Sequence, residues 1–131
     1  MINVAAGIIE KDGKILIAQR RRDDSFGLKW EFPGGTLLED ECGEDCIVRE
    51  LMEELGIAIE VVRHFYSYSE PSIKVHYYMA RYLSGEIKLV DHEQVKWINR
   101  NELLDYDLLP GDSAIARKLL NEKPKPLGLL T

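Results

Sequence analysis

The sequence predicts one domain that combines α-helix with β-sheet, and three observations carry that reading. First, Ile2–Ile9 is mostly apolar and Lys14–Arg20 alternates, with Asp12-Gly13 between them. That pair favours a tight two-residue hairpin, so the chain opens as two strands. Second, the stretch from Gly35 to Ile57 has helical periodicity. With Glu50 as origin and about 100° per residue, Glu53 and Glu54 share one narrow arc with it, while Ile47, Val48, Leu51, Met52 and Leu55 fill the opposite side. Third, Ala58–Ser69 and Ile73–Leu83 are rich in β-branched and aromatic residues around Glu70-Pro71-Ser72, which reads as two more strands and a turn. The chain has 131 residues, 45% of them apolar and 31% charged, which suits one core spanning residues 1–131 and leaves no room for a second domain.

The remaining elements follow in order. Ser84-Gly85-Glu86 is a turn, Ile87–Val90 a short strand, and Asp91-His92-Glu93-Gln94 a charged loop before the strand Val95–Ile98. Asn101–Leu104 reads as a short helix or turn. A last helix follows Pro110-Gly111, with Ile115, Ala116, Leu119 and Leu120 as its buried stripe and Asp112 or Ser113 as its N-cap. From Glu122, Pro124 and Pro126 predict an irregular tail over residues 122–131.

Three carboxylates on one narrow helical arc repel one another by a few tenths of a kcal/mol per pair, roughly, on a bare helix. A cation would relieve them, and oxygen ligands with room for water suit Mg²⁺. Taken alone, RExxEE is also an ordinary solvated acidic face. The spacing around it decides between the two. From Gly35 the pattern runs to Glu41, Arg49, Glu50, apolar Leu51, Glu53, Glu54, Gly56 and apolar Ile57, in the form G-x5-E-x7-R-E-U-x-E-E-x-G-U with U apolar.

This pattern resembles the box that defines the Nudix hydrolases, and the sequence is similar to their MutT-like branch from about Ile2 to Leu120. The resemblance implies an α/β Nudix fold, an α/β/α sandwich with a mixed β-sheet. It implies hydrolysis of a nucleoside triphosphate to monophosphate and pyrophosphate, dependent on Mg²⁺ with Mn²⁺ as a substitute. Oxidised or modified bases, such as 8-oxo-dGTP, and cytidine nucleotides are the expected substrates. The metal ligands it implies are Glu50, Glu53 and Glu54 with a carbonyl of Gly34 or Gly35. Arg49 would orient Glu50 through a bidentate pair, and Glu41 would be a further ligand or a support for one. Leu38 and Asp40 depart from the residues common at those loop positions.

Other candidates flank the box. Pro33-Gly34-Gly35 permits a sharp turn with exposed carbonyls, and Gly56 suits a left-handed helix end. Arg20 closes the second strand, where the resemblance implies contact with substrate phosphates; Arg21 and Arg22 read as solvated. Trp30-Glu31-Phe32-Pro33-Gly34-Gly35 looks like the W-x-F-P-G-G entry of the same branch. Trp30 and Phe32 both suit the core, and the resemblance implies a nucleobase pocket for Phe32. In Ile73–Leu83, Val75, Tyr77 and Met79 face one way and His76, Tyr78 and Ala80 the other, which makes His76 and Tyr78 a candidate base-stacking pair. The resemblance implies that an acid ahead of Val95-Lys96-Trp97 joins the catalytic carboxylates as a metal ligand or base. Asp91 has the spacing, Glu93 has the usual side chain, and the sequence leaves both open. Asp112 reads as a helix cap, while Leu109–Ile115 resembles the junction where MutT-like and cytidine-nucleotide Nudix enzymes place an Asn or Asp, which implies a contact to the base edge, accepting from an exocyclic amine or donating if protonated.

The formal charge of −6 argues against a binder of nucleic-acid polymers, which needs a basic surface. No basic-then-apolar leader and no apolar run of roughly 18–20 residues is present, so a cytoplasmic protein without membrane partners is expected. Cys42 and Cys46 are two cysteines without a neighbouring His, half a zinc site, and read as free structural thiols. No nucleophile elbow or Ser-His-Asp set occurs. A Nudix enzyme for another nucleoside diphosphate derivative, such as ADP-ribose or a dinucleoside polyphosphate, is one rival reading. A nucleotide sensor that does not cleave is the other. The sequence leaves the oligomeric state open and is compatible with a homodimer.

Overall fold

A computed structural model describes residues 1–122 of the chain; all but the first residue of the expected tail lies outside the described residues. Strand β1 (Ile2–Lys11) turns through Asp12-Gly13 into β2 (Lys14–Arg20). Both turn residues have positive φ, 51° and 79°, the mirror-image turn whose twist matches that of paired strands. The two strands pair only beside this turn, at Glu10↔Ile15 and Lys11↔Lys14. Beyond it they diverge, and the divergence makes the site.

On its free edge β1 pairs in parallel with β6 (Ile73–Ser84), from Ile2↔Ile73 to Glu10↔Arg81. Its opposite edge takes β4 (Gly34–Thr36) antiparallel, at Val4↔Thr36, Ala5↔Gly35 and Ala6↔Gly34. Strand β2 pairs instead with β7 (His92–Asn99) and with the two-residue β3 (Trp30–Glu31). Strand β5 (Ala58–Ser69) completes the order β3-β2-β1-β6-β5. The sheet is mixed, as expected.

Both faces are covered, so β1 and β2 carry unbroken buried runs, Ala5–Ile9 and Ile15–Ala18, in place of alternation. Helix α1 (Gly43–Leu55) covers one face, where Ile47, Leu51 and Leu55 meet Ala5, Ile9 and Leu16. Helix α2 (Pro110–Asn121) lies over the core of the other face, where Ile115 and Leu119 join Ile8, Ile17 and Tyr77. A 3₁₀ turn, Arg100–Asp105, precedes it and corresponds to the expected short element at Asn101–Leu104. These layers are the α/β/α sandwich.

Several local expectations change. The buried stripe of α1 is narrower than the apolar arc: Val48 and Met52 are 40% and 50% exposed, because the contact runs along residues 43, 47, 51 and 55, four apart. The expected strand Ile87–Val90 is absent. Strand β7 begins instead at His92, inside the expected loop, because it extends along β2 as far as Arg20. Gly34 and Gly35 form a strand, not a turn, and neither has positive φ. Their lack of a side chain serves close approach: a Cβ on Gly34 would strike the Ala5 carbonyl, and one on Gly35 would overlap the Glu50 carboxylate. Gly56 does end α1 in the left-handed conformation, at φ 72°, with its N–H on the carbonyls of Leu51 and Met52.

Candidate functional site

The place where β1 and β2 part is a cavity of about 500 Å³, within the usual range for small-molecule sites. Its lining is chemically mixed: Val4, Ala6, Phe32, Val75, Tyr77 and Leu109 supply apolar and aromatic surface, and Arg20, Glu31, Glu54, Asp91 and His92 supply polar groups, beside the Gly34-Gly35 backbone.

Asp112 is a buried carboxyl in this lining. The cap of α2 is Leu109, with Pro110 as the first helical residue, so the helix starts earlier than expected and Asp112 is not its cap. Proline fits that first position because its fixed φ suits the helix and it needs no acceptor. The Asp112 side chain is thereby free to turn inward. Its Oδ2 accepts from the Phe32 N–H at 3.0 Å and its Oδ1 from the Tyr77 hydroxyl at 2.5 Å. Burial raises its pKa to about 7, outweighing those two hydrogen bonds. Phe32 meets Tyr77 edge to face, with centroids 6.2 Å apart.

Tyr78 is not in this cavity. Successive strand residues face opposite ways, and Tyr78 lies under the start of α1, where a Cβ on Gly43 would collide with its hydroxyl. Its neighbour Tyr77 lines the cavity instead. His76 is likewise hydrogen-bonded elsewhere, to Ser67 at 2.9 Å and Asn3 at 3.1 Å. The cavity therefore holds neither of the expected pair; Phe32 and Tyr77 line it instead.

On helix α1, Arg49 organises the carboxylates. Its bidentate partner is Glu41, not Glu50: Nε and Nη2 donate to the two Glu41 oxygens at 2.8 and 2.9 Å. Nη1 bridges to Glu50 at 2.9 Å and Glu53 at 3.0 Å. Arg49, first, and the Leu38 N–H hold the Glu41 carboxyl down to about 2. Both Glu41 oxygens are thus engaged by Arg49. Glu53 is 59% exposed and projects outward with Arg49. Glu50 is nested against Gly35. Glu54 reaches the cavity, and burial, then the negative charge of Glu50, hold its pKa well above the carboxylate range. Among the described residues no three Asp, Glu, His or Cys side chains form a finished metal cage. The donor set nonetheless fits a hard cation: all the facing ligands are oxygens, and Glu54 beside Glu50 is short of positive charge.

Strand β7 separates the two rival acids. Gln19 pairs with Gln94 and Arg20 with His92, so Glu93 is the extra residue of a β-bulge. Asp91 lines the cavity. Glu93 lies outside it, accepting from the Arg22 N–H at 3.4 Å. Arg20 also reaches the cavity, with Nη1 donating to Glu31 at 2.9 Å and Nε to the Ser25 carbonyl at 2.8 Å. Cys42 and Cys46 are free. Burial, chiefly, pushes the Cys46 thiol up to about 11, which removes it from ligand or nucleophile chemistry.

The NUDIX domain family model matches residues 1–121. The chain belongs to that family. Nudix proteins use a divalent metal, which agrees with the carboxyl groups in the cavity lining. Among relatives, the CTP pyrophosphohydrolase of Escherichia coli K12 is 41% identical over 117 residues, covering 86% of each chain. The 8-oxo-dGTP diphosphatase of Haemophilus influenzae is 32% identical over 127 residues, covering 93% of each. A MutT structure from work on the Aliivibrio salmonicida and Vibrio cholerae proteins superposes with a TM-score of 0.81 at 25% identity, covering 92% of this chain and 97% of that one. The Nudix box thus stands on a Nudix fold in a hydrolase family.

Sequence reasoning missed Glu31, Tyr77 and His92. Glu31 sits at the free position of W-x-F-P-G-G, where no rule points to it. Tyr77 was assigned the correct orientation, but nothing in the sequence said which face of the sheet holds the cavity.

Proposed function

We propose that this chain, acting as one domain, hydrolyses a nucleoside triphosphate to the monophosphate and pyrophosphate with Mg²⁺ as its divalent ion. The observation that carries this is the lining of one cavity, which brings Phe32, Tyr77 and the buried Asp112 carboxyl together with Arg20, Glu54, Asp91 and the Gly34-Gly35 backbone. Glu50 and Glu54, with Glu53 and a carbonyl of Gly34 or Gly35, would hold Mg²⁺, whose role when bound is to offset charge on the phosphate oxygens and acidify water. Asp91 accepts the proton of the attacking water. Arg20 neutralises the phosphates, for which a planar and permanently charged guanidinium is suited. Arg49 fixes Glu50 against Gly35, so that the ligand does not have to be ordered when substrate arrives.

The base lies against the cavity wall to which Phe32 and Tyr77 contribute, with its edge toward Asp112. A carboxylate there accepts from an exocyclic amine, as carboxylates do from N4 of cytosine. This supports a cytidine nucleotide as substrate, and the likeness to the CTP pyrophosphohydrolase supports it independently. The 8-oxo-dGTP diphosphatase relatives support oxidised purine triphosphates as the second reading, in which a protonated Asp112 donates to the base. Pyrophosphate release measured over ordinary and oxidised nucleoside triphosphates, with and without Mg²⁺, tests the proposal. The expected result is metal-dependent release with CTP or dCTP among the best substrates. Release from ADP-ribose or dinucleoside polyphosphates alone, or from nothing, would overturn it.

A further inference from the structure

His92 carries the one buried side-chain polar atom without a hydrogen-bond partner among the described residues, its Nδ1. The side chain is 4% exposed, and its Nε2 lies 2.9 Å from Glu31 Oε2. The other oxygen of that carboxylate, Oε1, accepts from Arg20 Nη1 at 2.9 Å. His92 is on β7, Arg20 on β2 and Glu31 on β3, so the three side chains tie together three neighbouring strands at the cavity wall. The roles of the atoms follow. Glu31 is the acceptor, so Nε2 carries the proton, and in the neutral ring Nδ1 is left as a bare acceptor.

A histidine buried only to fill space would do so at a disadvantage, since an orphaned ring nitrogen costs free energy that an apolar side chain would not. Its retention makes sense if the Nε2–H bond to Glu31 has a use. We propose that His92 is a positioning residue, which acts through Glu31 to hold the Arg20 guanidinium on the cavity wall for polyphosphate. The other partners of Arg20 all belong to its own loop: the Ser25 carbonyl and hydroxyl and the Asp24 carboxylate at 3.2 Å. Glu31 is its partner from outside that loop. His92 fixes Glu31 in turn, so that the guanidinium has one orientation before substrate binds. This inference rests on the reading of Arg20 as the phosphate contact and extends it to two residues that do not themselves hold the phosphates.

The test is binding, measured by calorimetry with Mg²⁺ and two probes: a non-hydrolysable cytidine triphosphate analogue and inorganic tripolyphosphate. His92→Leu should weaken both by about tenfold, the scale of one coupled pair. Glu31→Gln should do the same, and the double variant should be no weaker than either alone. His92→Gln, which returns an N–H near the place of Nε2–H, should recover most of the affinity. A purely structural histidine predicts a lower melting temperature with unchanged affinity, and no rescue by Gln. Unchanged affinity in His92→Leu, losses that add in the double variant, or a Gln variant as weak as the Leu one each overturn the proposal. Should His92→Leu fail to fold, the ¹⁵N spectrum of the wild-type imidazole decides: a proton on Nε2 and a bare Nδ1 support it, and the reverse tautomer refutes it. Absence of turnover in the wild type would sink the hydrolase reading while leaving the binding comparison intact.

Discussion

Replacing Asp112 by asparagine isolates a buried charge. The fold raises the Asp112 pKa to about 7 from an ordinary 3.8, with burial as the first cause. Three units at 1.36 kcal/mol each mean that the fold favours the neutral acid over the anion by about 4 kcal/mol more than the unfolded chain does. Because the folded-state value is the higher one, the stability that Asp112 contributes is fully present below about pH 4. It declines as pH rises and is gone above about pH 7. Asparagine has the shape of the neutral acid. Its oxygen can accept from the Phe32 N–H, and its amide can donate to the Tyr77 oxygen, which rotates its proton elsewhere. The Asp112→Asn protein should therefore lose this pH dependence and keep the fold. Urea unfolding from pH 4 to pH 8 should show the variant gaining on the wild type by up to about 4 kcal/mol, or about 2 M in midpoint. Comparison at each pH cancels the other titrating groups. Parallel stability curves for the two proteins would refute the buried-acid account. Asp112→Ala should behave differently, since it strands a buried N–H and a buried hydroxyl at about 1–3 kcal/mol each and should lower the melting temperature at every pH.

Gly35→Ala should abolish most turnover, by roughly 10²-fold or more, because the new methyl displaces the Glu50 carboxylate; a variant with wild-type kcat and metal affinity would contradict the packing at that contact. Glu54→Gln should weaken Mg²⁺ binding and lower turnover by about 10²-fold while the melting temperature holds or rises, since it removes a charge the apo protein disfavours. Calorimetry with Mg²⁺ and a thermal melt check both halves. Asp91→Asn should cost about 10²–10⁴-fold in kcat, and Glu93→Gln less than about threefold, because only Asp91 faces the cavity; equal losses would contradict the bulge assignment.

The box was legible because it is local. The Glu50, Glu53 and Glu54 arc, the stop at Gly56 and the hairpin at Asp12-Gly13 depend on neighbours within a few residues, and each is where periodicity and turn chemistry placed it. What depends on distant chain was not legible. Periodicity put Tyr77 and Tyr78 on opposite faces, yet the choice between them needed the cavity, which the pairing of β2 with β7 instead of β1 creates. Asp91 and Glu93 have the same parity along a regular strand; a one-residue bulge against Arg20 separates them, and no sequence signal announces a bulge. Asp112 reads as a cap until Pro110 is seen to start the helix.

The arrangement of α1 also explains why Arg49 belongs in the pattern with the acids. On a bare helix Glu50, Glu53 and Glu54 would repel, and flexible side chains would relax by turning apart into solvent. Arg49 prevents this for two of them. Its Nη1 draws Glu50 and Glu53 to one point, while its Nε and Nη2 are held by Glu41, which the Leu38 N–H fixes in turn. The guanidinium thus has no freedom to swing away, and Glu50 is held against Gly35. Glu54 is left without that compensation, buried beside the Glu50 charge and facing the cavity. Arg49 offsets only one of the three carboxylates it gathers, and Glu54 adds another acid on the cavity side, so a divalent ion arriving there relieves repulsion beside the proposed phosphate site. An Arg49→Met change, which keeps the length of the side chain and removes its charge, should free Glu41, Glu50 and Glu53 together and cost more in metal affinity than Glu53→Gln alone.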